Sequence, residues 1–130
     1  MSSISHDDLQ PFSVVDDEVD ATTHVVDVAG EVDLYSAPEL KEHVLSAIDS
    51  GKTRIVVDLS KATFIDSTTL GVLVGARKRL REHEGALAVV CADDDKLGLF
   101  EMTGLDRVFS IHEDRAAARC ESRRTPPATA

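Results

Sequence analysis

The sequence is poor in several features that would assign it a class at once. It has only two cysteines, Cys91 and Cys120. They fit no metal-binding spacing and no disulfide framework, so both are expected to be free thiols. No apolar run approaches the roughly 20 residues that a spanning helix needs, and the opening MSSISHDDLQ is polar and acidic, unlike a signal or transit peptide. A cytoplasmic protein is expected. Positive charge is scarce too: 14 Lys and Arg face 24 Asp and Glu, a formal net charge of -10. Without a basic face to neutralise phosphates, direct nucleic-acid binding and anionic-membrane binding are not expected. A protein or a small molecule is the better partner.

Catalytic equipment is equally thin. The five histidines are scattered, none at a zinc-binding interval from another His, Cys or Glu. No glycine-rich phosphate loop follows a strand. Gly71 and Gly75 fall inside a helical pattern, where close packing of helix on sheet is the expected reason. Ser67 lacks the glycine-flanked elbow that lifts a hydrolase nucleophile clear of a sheet. No catalytic residue, metal site or cofactor is expected, and the chain reads as a non-enzyme.

What is present is a chain of 130 residues, 42% of them hydrophobic, enough for one domain with a real core. FSVV and THVVDVAG read as two short strands, with the acidic DDEVDA between them as a hairpin loop. YSAPELKEHVLSAIDSG reads as a helix, with Ser36 and Glu39 at capping-box spacing, Pro38 in the first turn and Gly51 as its stop. Leu40, Val44, Ala47 and Ile48 would line its buried face. RIVVDL and LAVVC are nearly all apolar, the pattern of strands covered on both sides. From Asp66 to His83 the period is helical again, with Leu70, Leu73, Val74, Arg77 and Leu80 on one face and basic residues in the last turns. DDDKLGLFEMTG suggests a short helix, RVFSI a last strand, and HEDRAAARC a helical turn or two. The alternation gives an α/β fold, a small mixed sheet of four to five strands with helices packed on it. Residues 1–11 are expected to be a flexible N-terminus, 12–119 the folded domain, and 120–130 a disordered tail.

One stretch stands out. FIDSTTLGVLV, from Phe64 to Val74, sets Asp66, Ser67, Thr68 and Thr69 where a strand hands over to a helix. Ser67 or Asp66 would serve as an N-cap, but a cap needs one oxygen and three hydroxyls follow one another here.

VAGEVDLYSAPEL, FIDSTTLGVLVGARKRL and LFEMTGLDRVF, in that order, resemble the STAS-domain anti-sigma factor antagonists of bacteria. The resemblance runs from about Phe12 to about Glu113 and implies the STAS fold. It also implies a partner-switching regulator, which binds an anti-sigma factor that is a serine kinase and so frees the sigma factor for transcription. Ser67 matches the phosphorylated serine, reset by a PP2C-type phosphatase, and Thr68 is a secondary acceptor candidate. Asp33, Asp66, Ser67, Thr68 and Thr69 would lie on the partner-binding surface. Thr69 replaces the family's glycine and is expected to influence which kinase docks. The alternative is a STAS scaffold subunit of a signalling or lipid-transport complex that is never phosphorylated. A receiver domain with Asp58 as acceptor shares the strand–helix rhythm but lacks its acid pair and its lysine. A hydrolase ranks third.

Overall fold

The computed structural model of the chain describes residues 12–122. Five strands form one sheet in the order β1-β2-β3-β4-β5. β1 (Ser13–Glu18) and β2 (Thr23–Glu31) make an antiparallel hairpin; β3 (Arg54–Phe64), β4 (Ala86–Val90) and β5 (Ser110–His112) add in parallel. Helices α1 (Ala37–Asp49), α2 (Ser67–Glu82) and α3 (Asp94–Thr103) connect them, and α4 (Arg115–Ser122) follows β5. The expected mixed α/β sheet is therefore what forms. The expected start of a tail at residue 120 falls inside α4; the expectations for residues 1–11 and 123–130 lie outside the described residues.

Side-chain alternation along the strands decides what covers each face. Ile55, Val57 and Leu59 of β3 point to the side of α1 and α2, where Val26, Val28, Leu40, Val44, Leu73 and Leu80 complete the main core. Val56 points the other way with Val25, Ala88 and Val90, and Ala118 of α4 packs on them. Both faces are buried from Ile55 to Leu59 of β3 and from Leu87 to Val90 of β4, as these runs require.

Arg115 fastens α4 to the second face. Its Nε lies 2.5 Å from Asp58 Oδ2 and its Nη2 2.7 Å from Asp27 Oδ2. Asp58 and Asp27 are register partners on β3 and β2. The backbone N–H and hydroxyl of Ser60 also donate to Asp58 Oδ1. Burial pushes the Asp58 pKa up, but the bonds from Ser60 and Arg115 outweigh it and hold the carboxyl below its ordinary value. With both oxygens engaged and 4% exposure, Asp58 is not the free acceptor that a receiver domain would need.

Several local expectations need correcting. β1 runs on to Glu18, because its three acids find cationic or imidazole partners: Asp16 with His24 and His43, Asp17 with Arg115, Glu18 with Lys52. The connecting loop is residues 19–22, closed by Asp20 Oδ1 accepting from Thr22 N and Thr23 N. The last strand is shorter than RVFSI. Leu105–Arg107 form a 3-10 turn, and Phe109 packs edge-on against Phe100 at 6.0 Å. On α2 the buried stripe is Thr69, Leu70, Leu73, Ala76 and Leu80, while Val74 is exposed. Gly71 and Gly75 are exposed as well, and a Cβ on either would meet nothing within 4 Å. Close packing on the sheet is not their role.

Candidate functional site

Parallel strands send their following connections out at one edge of a sheet. The β2–α1 loop, residues 32–36, and the β3–α2 junction, residues 65–67, therefore emerge together. Two bonds tie them. Val32 N donates to Phe64 O at 2.8 Å, and Thr69 Oγ1 donates to Val32 O at 3.3 Å. Asp33, Asp66, Ser67, Thr68 and Thr69 thus share one edge, though they play different parts.

Asp66 is the N-cap of α2. Its backbone is extended and its Oδ1 accepts from Thr68 N at 3.0 Å and Thr69 N at 3.2 Å. The alternative left open by the sequence, a Ser67 cap, is resolved in favour of the aspartate. Ser67 is the first helical residue, exposed, and its hydroxyl has no hydrogen-bond partner among the described residues. Its side chain is therefore spare as far as the fold is concerned. Asp66→Ala is expected to cost about 0.5–2 kcal/mol of stability, while Ser67→Ala stays within about 0.5 kcal/mol. Urea unfolding of the two variants side by side checks the contrast.

Thr69 requires a correction. Expected on the partner-facing surface, it has 0% exposure and points inward to Val32 O and toward Asp66 Oδ1. It cannot touch a docked kinase. It can act only by holding the β2–α1 loop against α2. Thr69→Val keeps the branched shape and loses that bond, so a loss of about 1–2 kcal/mol is expected in denaturant unfolding, with Ser67 still exposed. Thr68, next to Ser67, is half-buried.

Asp33 shapes the neighbouring loop. Its Oδ1 accepts from Tyr35 N at 2.9 Å and Ser36 N at 3.1 Å, and bonds led by that from Ser36 N hold its pKa below the ordinary value. Ser36 precedes α1 but makes no side-chain cap bond, so the expected capping box does not form. Its hydroxyl accepts instead from Asp33 N and donates to Glu31 O. The result is a tight turn that holds Leu34 and Tyr35 outward, 62% and 88% exposed, on the edge where Phe64 is also exposed. These three apolar side chains went unnoticed in the sequence. The available signal was an adjacent Leu-Tyr pair, containing the only tyrosine, after a strand and outside any helical period.

Among the described residues, no cluster of three or more His, Cys, Asp or Glu could hold a metal ion, and no helix is long and apolar enough to cross a membrane. Cys91 is buried; burial above all, with Asp93 adding to it, pushes its thiol up to about 11. It has little of the thiolate character that redox reactivity requires.

The edge carries the exposed Leu34, Tyr35 and Phe64 together with the exposed Ser67. Comparison with known proteins gives the family. The family profile described as STAS domain matches residues 14–118. The anti-sigma-B factor antagonist of Listeria monocytogenes is 41% identical over 93 residues, covering 69% of this chain and 80% of that protein. A crystal structure of an anti-sigma factor antagonist from Mycobacterium paratuberculosis superposes with a TM-score of 0.79 at 24% identity, over 88% of this chain and 96% of that one. The antagonist SpoIIAA has been solved unphosphorylated (TM-score 0.72, 21% identity, 83% and 96% coverage). It has also been solved phosphorylated, as a Bacillus cell fate determinant (TM-score 0.67, 20% identity, 83% and 98% coverage). The two solved proteins bear on the fold; the Listeria relative and the profile bear on the family. The chain belongs to the STAS-domain family, among its anti-sigma factor antagonists, which are regulators and not enzymes.

Proposed function

We propose that this protein works in the cytoplasm as a partner switch. Unphosphorylated, it binds an anti-sigma factor that is also a serine kinase, and the sigma factor is released. The kinase transfers the ATP γ-phosphoryl group to Ser67 Oγ, whose proton is lost, and the complex comes apart. A PP2C-type phosphatase then hydrolyses the phosphoserine ester and restores the serine.

The observation that carries this reading is the position of Ser67: exposed, without a side-chain hydrogen bond among the described residues and first in α2, on one edge with Leu34, Tyr35 and Phe64. Two aromatic rings and a leucine on one edge are what a protein partner can desolvate. A phosphate there adds about -1.5 to -2 charges. The nearest helix-start amides, of Thr68 and Thr69, are already taken by Asp66. The phosphate is therefore not absorbed by the helix cap, and the Asp66 carboxylate repels it outward into the docking surface. The fold survives while the interface does not. The anti-sigma-B factor antagonist of Listeria makes an anti-sigma-B-type factor the first partner to test.

Phosphopeptide mapping tests the acceptor. After incubation with the anti-sigma kinase and ATP, a single phosphate is expected on the peptide that carries Ser67, and none on Ser67→Ala. Undiminished transfer to Ser67→Ala would move the acceptor to Thr68 or elsewhere.

A further inference from the structure

A cleft of about 560 Å³ lies between α1 and α2. Leu45 and Val72 give it an apolar floor, and Gly71 and Gly75 leave it open. Its rim carries Lys41, Lys78 and Arg79, with Glu82 at the far end. Arg79 pairs with Asp49 at 2.8 Å. Lys41 and Lys78 have no carboxylate at ion-pair distance among the described residues. A cationic rim is unusual on a chain of net charge -10.

We propose that this cleft is the docking site of the chain's own residues 1–11, MSSISHDDLQP. The segment has Asp7 and Asp8 but no lysine or arginine, and Met1, Ile4 and Leu9 are its large apolar side chains. Charge and hydrophobicity therefore match the rim and the floor. The point of entry matches too. β1 is antiparallel to β2, with Ser13 opposite Ala29, so the chain enters β1 at the Ser67 edge. Phe12 and Val14 pack against the core on the helix side. Eleven residues reach up to about 36 Å, while α2 from Thr68 to Glu82 is about 21 Å long. Seated there, the segment crosses the Thr68 end of the cleft, beside Ser67, and pairs its acids with Lys41 and Lys78. The docking does not depend on Ser67 being the acceptor.

Amide NMR spectra of the full chain test this, read at Gly71 and Gly75, which no variant alters. Asp7→Asn/Asp8→Asn/Leu9→Ser should move both resonances while leaving Val89, in the core, in place. Raised salt should move them the same way, because the pairs are near the surface. Lys41→Glu/Lys78→Glu should release the segment as well, and adding Asp7→Lys/Asp8→Lys should restore the parent pattern. Circular dichroism checks that each variant is folded. Gly71 and Gly75 resonances identical in the parent and in the Asp7/Asp8/Leu9 variant would overturn the proposal. So would shifts that vanish on dilution, which would place the segment on a second copy.

Discussion

Arg115→Met is expected to lower the unfolding free energy by about 2–4 kcal/mol, measured by urea denaturation at neutral pH. The arginine stem and its apolar contacts are largely kept by methionine, so the loss comes from charge. Asp58 and Asp27 would be left in the sheet without their guanidinium, and removing one partner from a mostly buried pair costs more than the pair contributes. Ser60 would still hold one Asp58 oxygen, which keeps the cost below that of a bare buried charge. With α4 no longer fastened, Val25, Val56, Ala88 and Val90 would lose the cover that Ala118 provides. Exposed apolar surface and a tendency to aggregate should accompany the lower stability.

The pH dependence has a definite sign. The native Asp58 pKa is depressed, so its contribution is complete above the unfolded carboxylate value of about 3.9. It is lost as pH falls through the lower native value. The stability gap between parent and Arg115→Met should be widest near neutrality and narrow in acid. A gap that stays constant to the lowest pH at which both fold would show that the ion pair is not its source.

Much of this architecture was legible because each element carries more than one signal. RIVVDL is apolar at every covered position but Asp58, and the leucine spacing of α2 survives a miscounted Val74. The edge that carries Asp66 and Ser67 was legible through a motif, Asp-Ser-Thr before a helix. Which residue capped that helix was not, because aspartate and serine are both good N-caps and only the backbone angles separate them. Thr69 misled for a related reason. Sequence distance put it two residues from Ser67, whereas a helical turn rotates it to the opposite side, into the core. The Arg115 clamp joins residues 57 positions apart, beyond any local pattern. The capping box at Ser36 failed because Asp33 offered the same hydroxyl a better-placed partner. Gly71 and Gly75 show the limit of residue-type reasoning: the same glycine can serve close packing or leave a cleft open, and only the neighbours decide.

The largest effect expected on binding is that of the phosphate on Ser67. Placing a dianion in an interface that Leu34, Tyr35 and Phe64 help to desolvate, next to Asp66, should cost roughly 3 kcal/mol or more. That is about 100-fold in affinity. Ser67→Ala should bind the anti-sigma factor like the unphosphorylated parent and stay bound when ATP is added. Ser67→Glu should fall between, since one carboxylate imitates only part of the charge and size. All three should unfold with similar midpoints, because Asp66 and not Ser67 holds the helix start. The deciding measurement is a calorimetric titration of the anti-sigma factor with the parent protein in unphosphorylated and fully Ser67-phosphorylated forms. Loss of about two orders of magnitude in affinity, with circular dichroism unchanged, is the predicted result. Equal affinity of the two forms would contradict the partner switch and leave a STAS scaffold in its place.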